Sequence, residues 1–101
     1  MLDELTTADF APYVGQDFRV VLTGLAPVDL ELVSATELSP ATRPSPRGRQ
    51  PFSLLFLGPE SDQYLMQHIY RLEHPHMGVL ELFLVPLGPQ HRRMQYEAVF
   101  A

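Results

Sequence analysis

Apolar residues recur at every second position through most of this chain, and that period restricts it to strands. Phe18, Val20 and Leu22 alternate with Arg19, Val21 and Thr23, which places the two sets on opposite faces of one extended segment. Val28, Leu30 and Leu32 alternate with Asp29, Glu31 and Val33, predicting a second strand that runs to Glu37. The connection Gly24-Leu25-Ala26 is short enough for a hairpin. Phe52 to Leu57 is apolar at five of six positions, as expected of a strand buried on both faces, and Gly58-Pro59 ends it. Tyr64 to Glu73 reads as a fourth strand, with His68, Tyr70 and Leu72 on one face and Gln67, Ile69 and Arg71 on the other. A turn at His74-Pro75-His76-Met77-Gly78 leads into a fifth, Val79 to Leu87. There Leu80, Leu82 and Leu84 point inward and Glu81 outward. Pro86 cannot donate to a ladder and belongs near the strand's end or at an edge. Gly88-Pro89 closes that run, and Tyr96, Ala98 and Phe100 line a sixth strand.

The first fifteen residues predict a short helix. Thr6 and Asp9 have capping-box spacing, Leu5 and Phe10 have staple spacing, and Pro12 and Gly15 stop it. Two turns are unstable alone, so this helix must lie on the core through Phe10 and Val14. Residues 39–51 break the pattern with Pro40, Pro44, Pro46 and Pro51 among Arg43, Arg47 and Arg49. The segment has no apolar period and almost nothing to bury, the composition of a mobile, solvated loop. With 101 residues, 46% of them hydrophobic, the chain supports one core and therefore one domain, residues 1–101. The fold class is all-β: about six short antiparallel strands in a small barrel or sandwich, with one short N-terminal helix.

Charge and missing residue types exclude several functions. The net charge is −5 and all seven basic residues are arginines. Nucleic-acid binding needs many phosphate-neutralising cations, so no DNA or RNA partner is expected. The absence of lysine, which a GC-rich genome's bias toward arginine would produce, removes Schiff-base chemistry and any P-loop lysine. The absence of cysteine removes disulfides, thiolate metal sites and thiol nucleophiles. The amino terminus Met1-Leu2-Asp3-Glu4-Leu5 lacks a signal peptide's basic and apolar regions. The longest apolar run, Leu82 to Leu87, is six residues, far short of the ~20 that span a bilayer. A soluble, cytoplasmic domain with no membrane partner is expected, exported, if at all, by a signal-free route within an assembly.

The polar constellations are weak. His68, His74 and His76 invite a metal, but two of them sit in a turn and no oriented ligand set is legible. Asp29 and Glu31 share a strand's polar face, and Glu73, Glu81 and Glu97 fall at outward positions where Arg71 can pair with them. Arg43, Arg47 and Arg49 form the only basic cluster, suited to an anionic partner, although no aromatic is interleaved. No catalytic, metal or cofactor residue is assigned. Glu73 and His68 are the best acid–base pair should the domain be an enzyme.

The carboxy-terminal half carries a family likeness. Pro51-Phe52-Ser53-Leu54-Leu55-Phe56-Leu57-Gly58-Pro59 is followed by Gln67 to Pro75, then by Gly78 to Gly88 and by Tyr96-Glu97-Ala98-Val99-Phe100. Phe10, Val14-Gly15 and Phe18 fit the same family's opening. The chain resembles a family of uncharacterised bacterial domains of about a hundred residues, often encoded near fibre proteins that carry a phage-tail-collar domain. The resemblance implies a structural or accessory part in a tail-like or fibre-like assembly.

The expected function is a non-enzymatic interaction module that pairs with another protein, or with itself, through a sheet edge. The rival is a small-ligand-binding barrel. Its mouth would lie between the Gly58–Tyr64 and His74–Gly78 turns, with Tyr64, Tyr70 and Tyr96 supplying polar tips on apolar bodies.

Overall fold

The computed structural model describes residues 4–38 and 50–101. A helical turn, α1 (Thr7–Phe10), and a 3₁₀ turn (Ala11–Tyr13) precede six strands. These are β1 (Asp17–Val21), β2 (Val28–Glu37), β3 (Phe52–Glu60), β4 (His68–His74), β5 (Gly78–Gln90) and β6 (Arg93–Phe100). All neighbours are antiparallel, and the sheet closes on itself in the order β1-β2-β3-β6-β5-β4. The fold is a barrel.

Alternation fills its interior. Phe18 and Val20, Leu30 and Leu32, Leu54 and Phe56, Leu72, Leu82 and Leu84, and Tyr96 and Ala98 all face inward and are buried. A small barrel has just enough room for such side chains, so its centre is a packed core. β3 departs from the expectation of two buried faces. Its Leu54 and Phe56 are buried, while Leu55 and Leu57 are half-buried on the outside.

α1 plugs one end. Asp9 accepts from the Thr6 N–H at 2.7 Å and from the Thr6 hydroxyl at 3.2 Å, so the expected box forms around the aspartate. Phe10 is fully buried against Phe52 and Phe100, which stack on each other with ring centroids 4.5 Å apart. Val14, expected to anchor the helix, is 45% exposed; the 3₁₀ turn rotates it outward and puts Tyr13 on the core instead. Pro51 also belongs to this end. It is fully buried and its carbonyl accepts from Leu38 N–H at 2.8 Å, so the polar excursion ends one residue earlier than expected. Residues 39–49 of that expected loop, with Arg43, Arg47 and Arg49, lie outside the described residues.

The other end is closed by a crossing. β3 and β4 sit three steps apart around a ring of six, and they run in opposite directions. Residues 61–67, which join them, therefore traverse the mouth. The expected fourth strand loses Tyr64 to Gln67 to this strap, because a residue crossing the mouth has no neighbouring strand with which to pair. The first connection is also longer than a tight hairpin, since β1 stops at Val21 and β2 starts at Val28.

Two strands outlast their proline–glycine signals. β3 continues through Gly58-Pro59 to Glu60, and β5 through Gly88-Pro89 to Gln90, each with a register shift at the irregular residues. Bulges tolerate proline within a ladder. β5 and β6 then meet through His91-Arg92, both with positive φ (51° and 66°), a two-residue turn of the I′ kind. Among the described residues no helix is long and apolar enough to cross a membrane.

Candidate functional site

The strap end gathers the three tyrosines. Tyr96 lies inside β6, 2% exposed, and its phenolic oxygen accepts the Leu65 N–H at 2.8 Å. Tyr70, on the inner face of β4, donates its O–H to the Met66 carbonyl at 2.6 Å. Tyr64 is exposed on the strap itself. Burial pushes the Tyr96 phenol up, the Leu65 N–H opposes that, and the nearby Tyr70 and Tyr64 phenols reinforce it. Burial alone raises Tyr70. Tyr70 and Tyr96 therefore stay protonated over the ordinary pH range.

Two concavities flank the strap. One of about 320 Å³ lies between the β1–β2 connection and the strap, with Leu25, Val28, Leu65, Met94 and Tyr96 in its walls. A wider groove of about 590 Å³ runs along Pro86, Leu87 and Arg92. The strap is held by Ser61 N–H to the Arg92 carbonyl (3.2 Å) and by Arg92 to Asp62 (3.3 Å). Arg93 braces the β3 end, donating to the Gly58 carbonyl at 2.7 Å and to Glu31 at 3.1 Å.

The helix end holds an imidazole knot. His74 is 4% exposed and stacks on Phe18 with ring centroids 4.5 Å apart. Its Nδ1 accepts from the backbone N–H groups of His76 (3.1 Å) and Met77 (3.3 Å). That assignment leaves the proton on Nε2, which donates to Gln16 Oε1 at 2.8 Å. Desolvation, and then the neighbouring His76, hold its pKa below the usual histidine range. Nδ1 is therefore committed to the turn and Nε2 to Gln16. His68 is at the opposite end of β4, so the three histidines weighed as a metal set do not converge. Among the described residues no three His, Cys, Asp or Glu side chains are grouped to hold a metal.

Other expected pairings separate in the same way. The Gly58–Tyr64 and His74–Gly78 turns lie at opposite ends of the barrel and cannot frame one mouth. His68 and Glu73 are five residues apart on one strand, on opposite faces and roughly 16 Å distant. Arg71 pairs with Glu73 at 3.5 Å along its own strand, while Glu81 faces Arg71 across the β4–β5 ladder.

The outer wall shows what the sequence reading did not single out. Ile69 and Phe83 are directly opposed in the β4–β5 register and are 59% and 49% exposed. Val99 on adjacent β6 is exposed as well. The signal was present: inward Leu82 and Leu84 force the phenylalanine between them outward. Among the described residues each strand has two partners, so the expected association through a sheet edge has no wholly unpaired strand to use and is left stretches such as residues 85–90 of β5, paired with β6 alone.

These features define a small closed antiparallel barrel, plugged by a helical turn at one end and strapped at the other. The chain belongs to the family described as a domain of unknown function (DUF6916), whose model matches residues 5–100. No curated protein and no solved structure matches it.

Proposed function

We propose that this domain is a non-enzymatic interaction module that docks through the outer wall of β4, β5 and β6. The observation that carries the reading is the exposed Ile69–Phe83 cross-strand pair with Val99 beside it. Water-facing positions of a sheet ordinarily hold polar residues, and clustered exposed apolar side chains mark contact surfaces. Glu81 and Glu97 border the pair and make no ion pair among the described residues, so the complementary face is apolar at its centre and basic at its rim. The resemblance to domains encoded beside fibre proteins supports a larger assembly as the setting, with this barrel as an accessory part.

The test is quantitative co-purification from the native host with the wild-type chain and a Phe83→Asp variant. Phe83 is exposed, so the substitution leaves the core intact and costs at most about 1 kcal/mol. The expected result is a partner retained by the wild type and lost by the variant. Recovery of both as free monomers across growth conditions overturns the reading.

A further inference from the structure

We infer that the concavity beneath the strap is a binding site for a small, uncharged, largely apolar molecule that bears one hydrogen-bond acceptor. This site is independent of the docking wall, and its occupant is a free small molecule rather than a protein.

Four observations converge on it. The first is volume. About 320 Å³ reaches the lower bound of ordinary ligand pockets, enough for a single substituted ring. The second is charge. Among the described residues no Asp, Glu, Arg, Lys or His lines the pocket, so an ionic ligand would lose its hydration with nothing to replace it. The chain's net charge of −5 adds to the bias against anions.

The third observation is the Tyr96 hydroxyl. Its oxygen is engaged by Leu65 N–H, yet among the described residues no acceptor takes its proton. The side chain is 2% exposed and forms part of the pocket wall. A hydroxyl whose oxygen accepts one bond keeps its own proton to give, so this proton is placed to donate to an occupant that accepts. A carbonyl or ether oxygen meets that need; a second donor does not.

The fourth is construction. One wall is the strap (Gln63, Tyr64 and Leu65) and another is the β1–β2 connection (Leu25 and Ala26), while the floor belongs to the barrel. Neither wall is a strand. Irregular segments over a rigid floor can part to admit a ligand and close over it, as binding loops on scaffolds do. Gly58 fits the same design. A Cβ there would stand 3.3 Å from the Tyr96 ring, so the glycine leaves the ring its place in the floor.

The experiment compares acetophenone, which has a carbonyl acceptor, with ethylbenzene, which has nearly the same shape and none. Each is titrated into the full chain while the methyl resonances of Leu25, Leu65 and Met94 are followed by NMR. The expected result is saturable shifts centred on those residues, with acetophenone binding about two- to tenfold tighter, the worth of one net hydrogen bond. Tyr96→Phe should bring the two probes to the same affinity. Leu25→Glu, at a 71% exposed position that the fold does not need, should weaken both. The absence of saturable shifts in the wild type, or shifts centred elsewhere, overturns the site. Equal affinities of the two probes in the wild type overturn the acceptor, and assign the Tyr96 proton to water. Should Tyr96→Phe fail to fold, the wild-type probe pair and Leu25→Glu still decide. Phe83→Asp should leave both titrations unchanged, which keeps this test separate from that of the docking wall.

Discussion

The backbone N–H of Leu65 donates to the phenolic oxygen of Tyr96 at 2.8 Å, across 31 positions of sequence. This bond ties the middle of the strap to the floor of the barrel, and the strap has no ladder of its own. Tyr96→Phe should therefore cost about 1–2 kcal/mol, mostly from stranding a part-buried N–H. It should also speed amide exchange at Leu65 more than at any core strand residue. Hydrogen exchange with urea unfolding measures both, and unchanged protection at Leu65 would contradict the tie.

His74 gives the fold a pH dependence. Its pKa in the folded chain is below the ordinary 6.5, so the unfolded chain holds the extra proton between the two values. Stability is then complete above about pH 6.5 and falls as the pH drops through the folded value. Protonation also removes the Nδ1 lone pair that accepts His76 and Met77 N–H. Urea midpoints for the wild type should decline from pH 7.5 to 5. His74→Phe keeps the ring on Phe18 but has no proton to bind, so its decline should be shallower. Parallel curves for the two proteins would rule out this histidine as the source.

The β5–β6 turn is built from the wrong residues for its shape. His91 and Arg92 both occupy the left-handed region, where residues with a Cβ pay about 1 kcal/mol or more. Replacing the pair with Asn-Gly should raise stability by about 1–2 kcal/mol. The loss of the Arg92–Asp62 ion pair subtracts little, since both side chains are mostly exposed. Thermal denaturation reads the gain, and a lowered midpoint would show that Arg92 holds the strap through more than its backbone.

Phe10 tests the plug. It is fully buried between Phe52 and Phe100, so Phe10→Ala should cost about 3–5 kcal/mol. Ala8→Gly, at an exposed helical position, should cost only about 1 kcal/mol. Similar losses for the two in chemical denaturation would mean that helix formation, and not burial of the ring, sets the contribution of this segment.

The strands and their faces were legible because alternation is a local property. Whether Val20 or Arg19 faces the core depends only on neighbours one position away, and the hydrophobic effect then selects the side. The Thr6–Asp9 cap and the burial of Phe10 were legible for the same reason. Tyr64, Tyr70 and Tyr96 were chosen for their amphipathic chemistry, and the structure does bring them together. The mouth expected around them was wrong because it joined turns from opposite ends.

What the tertiary structure alone decided follows from ring order. Nothing in the residues between Gly58 and Tyr70 states that β3 and β4 stand on opposite sides of a barrel. That placement turns an expected strand into a strap and creates the pocket at Tyr96. Closure likewise cannot be read from any one strand, since it is a relation between the first strand of the ring and the last. His74 reads as a turn residue in the sequence and becomes a buried, neutral imidazole only when Gln16, Phe18 and Tyr13 are folded around it. The sequence by itself determined which side chains leave water. The tertiary structure decided which of them meet, because contacts between residues distant in sequence are set by chain topology and not by the local pattern.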